Sequence, residues 1–141
     1  MTELKITMWN CSGVRAAATT TAHKMGFFDK ENPNANFAIA VFVETHHRGE
    51  DDFPALFKEY KVTHNIIHTP TPGDQTYSGI IVFVRKDLEI LSHCTPIPGR
   101  LLNFKFRDKS DDKVYNISAF YGPQFKNVCK DNLSSIFQHF G

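Results

Sequence analysis

Long apolar runs are missing from this chain. No stretch approaches the roughly 20 residues that a bilayer-spanning helix needs. The opening MTELKIT leads straight into a strand-like pattern, without the apolar region of a signal peptide. Membrane insertion and secretion are therefore set aside, and an intracellular setting, nuclear or cytoplasmic, is expected. Cysteine is scarce: Cys11, Cys94 and Cys129 are the only three, widely spaced and without CxxC pairing. An odd, scattered set excludes a disulfide framework and a zinc ribbon, and points to reduced, buried thiols. The sequons at Asn116 and Asn132 then read as chance. A charge excess of one sign is also lacking, since 16 basic against 15 acidic residues leave a formal +1. A phosphate-tracking protein usually shows a basic excess, so composition does not announce nucleic-acid binding. A local patch or a bound metal can still supply the positive field. There are no internal repeats and no low-complexity tracts.

What is present suits one folded domain over 1–141, with 41% apolar residues, 13 of them Phe, to fill a core. Leu4 to Asn10 reads as a strand closed by the Cys11-Ser12-Gly13 turn. Val14 to about Phe28 is Ala-rich and reads as a helix, weakened by three consecutive Thr residues. Phe37 to Val43 is an almost unbroken apolar run of strand-formers, too short for a typical helix, as in a central strand covered on both faces. Asp51, Asp52 and Pro54 start a short helix that runs to about Tyr60. Val62 to His68 is a further strand, and the Pro/Gly-bearing stretch Thr69 to Tyr77 is a loop. Gly79 opens a second fully apolar strand, Ile80 to Val84, and Leu88 to Cys94 follows as another. Leu102, Phe104 and Phe106 alternate with Asn103, Lys105 and Arg107, so the two sets face opposite sides of a strand. The charged run Asp108 to Lys113 is a hairpin turn into a last strand, Val114 to Tyr121. Apolar residues from Cys129 to Phe140 recur at helical spacing. The fold class expected is α+β: a partial four-layer α/β sandwich, mainly one mixed or antiparallel sheet with flanking helices.

Three polar residues stand where apolar strands end: Asn10, Glu44 and Tyr121. In α/β sheets, ligands gather beyond the carboxyl ends of strands, where neighbouring side chains converge. A carboxylate placed directly after an apolar run is desolvated unless something neutralises it. A hard divalent cation with carboxylate and amide oxygens would do so. Spacing alone leaves a second reading open, in which Glu44 simply emerges into solvent. His46 and His47 follow closely enough to reach the same place, but a loop histidine beside acidic neighbours is usually only solvated. Lys105 and Arg107, with Arg100 beside them, are either phosphate contacts or an ordinary solvated strand face. Arg15, just past the Ser12-Gly13 turn, is a further candidate phosphate contact.

Leu4–Gly13, Ile39–Thr45, Tyr77–Arg85, Gly99–Leu102 and Asn116–Pro123 together resemble five motifs of the endonuclease/exonuclease/phosphatase superfamily. They occur in its order, with similar spacing, over essentially the whole chain. The style is closest to LINE-type retrotransposon endonucleases and apurinic/apyrimidinic endonucleases. The resemblance implies a two-sheet sandwich in which Glu44 ligates Mg²⁺ or Mn²⁺ and Asn10 helps hold the metal or the phosphate. Tyr121 would contact the scissile phosphate or orient the nucleophile.

The resemblance ends before two elements of the pattern: a Gly-Asp-x-Asn segment and a later Asp-His pair, neither of which precedes Gly141. The expectation is therefore the N-terminal portion of such a fold, incomplete or inactive alone, with its activity residing in a longer parent. DNA is the expected partner. Self-association, or the missing C-terminal half, is expected to cover an exposed apolar sheet face. Two alternatives stand beside the DNA endonuclease: a non-catalytic nucleic-acid or protein interaction module, and a phosphatase of a small phosphorylated substrate.

Overall fold

Two segments are apolar at nearly every position, and both become central strands of a sheet. The computed structural model describes residues 4–11, 13–14, 37–73, 75 and 77–122. The expected helices after Val14 and around Cys129–Phe140 fall outside the described residues. The strands are β1 (Ile6–Asn10), β2 (Ile39–Val43), β3 (His64–Thr69), β4 (Ile80–Arg85), β5 (Leu88–Ile97), β6 (Leu101–Asp108) and β7 (Val114–Phe120). One short helix, α1 (Ala55–Glu59), follows a 3-10 turn at Glu50–Asp52 and a Pro54 that enters it with its ring-fixed φ.

These strands form two sheets, where the sequence pointed to mainly one. The first is mixed, in the order β1-β2-β4-β3, and the second is antiparallel, β5-β6-β7. The division has a physical cause. The β5 strand cannot pair with β4, although only the Lys86–Asp87 turn separates them, because both edges of β4 are taken by β2 and β3. Bulges between Ile90 and Ser92 and between Cys94 and Ile97 also bend it. Parallel pairing of β1 with β2 needs a long crossover, and the segment between Asn10 and Ile39 is long enough to supply one.

The inner faces of both sheets meet in one apolar layer. Val41, Val43, Val82 and Val84 of the first sheet pack with Leu102, Phe104, Phe106 and Ala119 of the second. The opposite face of the first sheet carries Ala40, Phe42, Ile81 and Phe83, closed over by Phe53 and Phe57 from the helical segment. That two-sided cover explains why β2 and β4 are apolar at alternate and intervening positions alike. The β6 strand keeps the expected alternation, with Leu102, Phe104 and Phe106 buried and Lys105 exposed. The edge strand β1 is different: Ile6 and Met8 are 51% and 60% exposed. Of the thiols, Cys11 is buried as expected, whereas Cys94 is exposed, because the strand reading missed its place on the outer face of β5.

Candidate functional site at one rim of the sandwich

Strand direction gathers one set of ends. Val43 of β2 faces Asn10 of β1 on one side and Ile80 of β4 on the other. Thr69, the last residue of β3, also faces Ile80, and in the second sheet Leu101 faces Phe120. Asn10, Glu44, Gly79, Arg100 and Tyr121 therefore lie at one rim. Backbone hydrogen bonds stitch the loops there across both sheets: Thr45 N–H to Gly79 O (3.2 Å), Gly79 N–H to Gly99 O (2.8 Å) and Tyr121 N–H to Arg100 O (2.8 Å).

Glu44 does not emerge into solvent. Its side chain is 12% exposed, as expected for a carboxylate that follows a buried strand. Asn10 stands one register step away on the neighbouring strand and is itself exposed. Tyr121 is almost buried, packed in the same apolar layer as Val41 and Val43, with the Arg100 guanidinium 5.4 Å above its ring. The rim thus brings Glu44, Asn10, Tyr121 and Arg100 together. Arg100 is not beside Lys105 and Arg107, which stand on the outer face of β6. There Arg107 reaches Glu89 at 3.4 Å. Arg15 lies outside the described residues.

The expectation for His47 needs correction: it is fully buried. Its Nδ1 lies 2.5 Å from Thr45 Oγ1, and its Nε2 lies 3.1 Å from Nδ1 of His68. Thr45, His47 and His68 thus form one hydrogen-bonded row whose direction is set by the tautomer of His47. Burial, reinforced by His68, pushes the His47 ring down to about 4. His68, facing Glu50, is also held below the usual histidine range, chiefly by burial. Cys11 sits beneath the same loop with its thiol directed at the carbonyls of Val43 and Glu44. Burial raises that thiol to about 11, so it stays protonated and serves as packing.

Arg48 escaped sequence reasoning, and Gly79, read there as the opening of a strand, has a further role. Arg48 donates to the carbonyls of Thr71, Pro72 and Gln75 at 3.3, 2.6 and 2.9 Å, fixing the loop after β3. Gly79, at φ +108°, leaves room where a Cβ would overlap Thr45 Oγ1. Nothing in the sequence marked Arg48.

Polar atoms without a protein hydrogen-bond partner collect here. Among the described residues these buried atoms are His46 Nε2, Gln75 Oε1, Ser78 Oγ, Arg100 Nη1 and Asn103 Oδ1. All but the last belong to the rim loops, and such atoms call for a specific explanation. No group of three His, Cys, Asp or Glu side chains among the described residues can cage a metal alone. A cation at Glu44 would have to draw on Asn10, His46 or substrate oxygens as well.

No family model matches the sequence, and no curated protein does. Solved structures do match the fold. The AP endonuclease LMAP from Leishmania major superposes with a TM-score of 0.56 at 14% identity, over 85% of this chain and 40% of that one. The human Nocturnin catalytic domain, solved with a bound sulfate, gives 0.58 at 8%, over 97% and 58%. The Xenopus laevis APE2 catalytic domain gives 0.58 at 14%, over 94% and 49%. The chain has the fold of the endonuclease/exonuclease/phosphatase proteins, to which all three belong. It spans about half the length of these structures, which fits the N-terminal portion of that fold.

Proposed function

We propose that this chain is part of a metal-dependent phosphodiesterase that cuts DNA. One observation carries the reading: a nearly buried carboxylate, an amide, a phenol and a guanidinium with an unpartnered Nη1 share one rim. Glu44 and Asn10 would hold Mg²⁺ or Mn²⁺, for which a carboxylate and an amide oxygen are suitable donors. When bound, the ion supplies Lewis-acid polarisation of a phosphoryl oxygen. Arg100, braced on the Tyr121 ring, has a donor left over for a phosphate oxygen. Tyr121 would contact the scissile phosphate or orient the attacking water. The AP endonuclease neighbours support DNA as the substrate, and the sulfate on Nocturnin supports an oxyanion-binding place in this fold.

A second reading is a nucleic-acid or protein interaction module, supported by the absence, among the described residues, of three His, Cys, Asp or Glu side chains able to hold a metal alone. In either case the exposed Ile6 and Met8 of β1 would be covered by the rest of a longer chain or by a second copy. The near-neutral charge leaves room for a phosphatase of a small substrate. Among the described residues, no helix is long and apolar enough to cross a membrane.

The test is nicking of supercoiled plasmid and cleavage of an abasic duplex by the full polypeptide that carries this chain, with Mg²⁺ or Mn²⁺. Glu44→Gln is expected to lower the rate about 100-fold or more, the scale of a lost metal contribution. Cleavage undiminished in Glu44→Gln would refute the reading. DNA binding without cleavage by the wild type would select the interaction module.

A further inference from the structure

The two sheets do not match in width. The β7 strand lies against β2 and β6 against β3, while β1 carries the first sheet one strand past β2. Among the described residues, the second sheet ends at β7 and has no strand opposite β1. Register fixes which side of β1 this leaves open. Ile6 pairs with Ile39 and Met8 with Val41, and both partners belong to the layer between the sheets. Ile6 and Met8 therefore point toward that layer, and Leu4, two residues earlier, packs against it. They are exposed because the opposite sheet stops short, not because β1 turns them outward.

The sheet stops at an edge that can still bond. Tyr121 N–H donates to Arg100 O, and Asp108 N–H to Lys113 O. Antiparallel pairs alternate between bonded and unbonded. Tyr115, Ile117 and Ala119 thus turn their backbone groups to β6, whereas Asn116, Ser118 and Phe120 turn theirs to the open edge. That edge is unguarded. The strand Val114–Phe120 has no charge, no proline and no register shift. The opposite edge strand, β5, has two bulges, Pro96 and Glu89, devices that discourage pairing. A strand added to β7 would stand about 4.8 Å further on, above Ile6 and Met8. One strand would satisfy the free backbone groups and cover the apolar side chains together.

A second copy cannot supply it by pairing its own β7 there. Each β7 stands over its own β2, so the partner's β2 would fall where β1 already lies. The solved structures that share this fold hold about as much chain again. We propose that the free edge of β7 receives one extended strand from the rest of the polypeptide, with uncharged, apolar side chains at alternate positions turned onto Ile6 and Met8. Because β1 ends in Asn10 and Tyr121 directly follows β7, that strand also ties two rim residues together.

The test is amide exchange in the full polypeptide that carries this chain. The N–H groups of Asn116, Ser118 and Phe120 are expected to exchange about 100-fold or more slowly than those of an open strand edge. Exchange at the open-edge rate overturns the inference. Protection that is lost on dilution also overturns it, because the cover would then be a second copy. Ser118→Pro removes one edge-facing N–H and leaves the ladder to β6 whole. It is expected to lower the urea midpoint and return Asn116 and Phe120 to open-edge exchange, whereas Ser118→Ala does neither. Met8→Lys, at a position more than half exposed in this chain, should lower the midpoint in the same way. If Ser118→Pro does not fold, Met8→Lys decides alone. Wild-type behaviour of the variants would show that no strand covers this edge. Glu44→Gln should leave the exchange of β7 unchanged, so this inference and the phosphodiesterase reading fail separately.

Discussion

At the scale of single residues, burial of polar groups is what distinguishes this rim. His47 reaches the interior only because Thr45 and His68 satisfy both of its ring nitrogens. The folded chain keeps it neutral down to about pH 4, whereas an unfolded chain protonates it below about 6.5. Between those values the unfolded state binds more protons, so stability declines as the pH falls through that window. His47 alone accounts for about 3 kcal/mol of that decline at full extent. His64 and His68 are displaced in the same direction, chiefly by burial, and add to it. Urea unfolding at pH 7 and pH 4.5 should therefore show a smaller pH dependence in His47→Asn than in the wild type. Equal dependence in the two proteins would show that His47 is not buried neutral.

The strand ends are decided at the scale of elements. The β4 strand begins where the Glu44–His47 loop crosses it, and Gly79 is the residue that lets the two backbones approach. Its φ of +108° and the space taken by Thr45 Oγ1, His47 Nδ1 and Thr71 Oγ1 together forbid a side chain. Gly79→Ala is expected to destabilise the chain by about 2 kcal/mol or more, from left-handed strain and overpacking together. The change should appear in the midpoint of chemical denaturation. A wild-type midpoint would mean that the loop yields and that Thr45 is not fixed against β4. Much at this scale was legible beforehand. The runs Phe37–Val43 and Ile80–Val84 had to be central strands because no polar face was left to point at water. The alternation in β6 fixed which side met the core. The residue pattern alone did not show the number of sheets, which only the family resemblance implied, since the bulges of β5 leave no periodic signature.

For the whole molecule, the shared apolar layer ties the two sheets into one cooperative body. Val41, Val43 and Val82 share this layer with Leu102, Phe104 and Ala119, so losing either sheet uncovers apolar side chains of the other. Thermal unfolding followed by Trp9 fluorescence, which reports on β1, is expected to coincide with unfolding followed by far-UV circular dichroism. Two separated transitions would mean that the sheets are stable independently. The same layer holds Tyr121, with Arg100 above its ring, against the strand that ends beside Glu44.

Sequence by itself determined the central strands, the polar residues that close them and the glycines that open them, because local pattern and turn chemistry leave few choices there. It named Asn10, Glu44, Tyr121 and Arg100 but could not give their distances. Only the tertiary structure decided that Glu44 is nearly buried and that Arg100 turns to Tyr121 rather than to Lys105. It likewise decided that His46 and His47, adjacent in the chain, have opposite fates, one inside and one beside the carboxylate. The reason is that burial and convergence depend on contacts between residues far apart in the chain, brought together at one rim by parallel and antiparallel strand directions, and no spacing along the sequence encodes them.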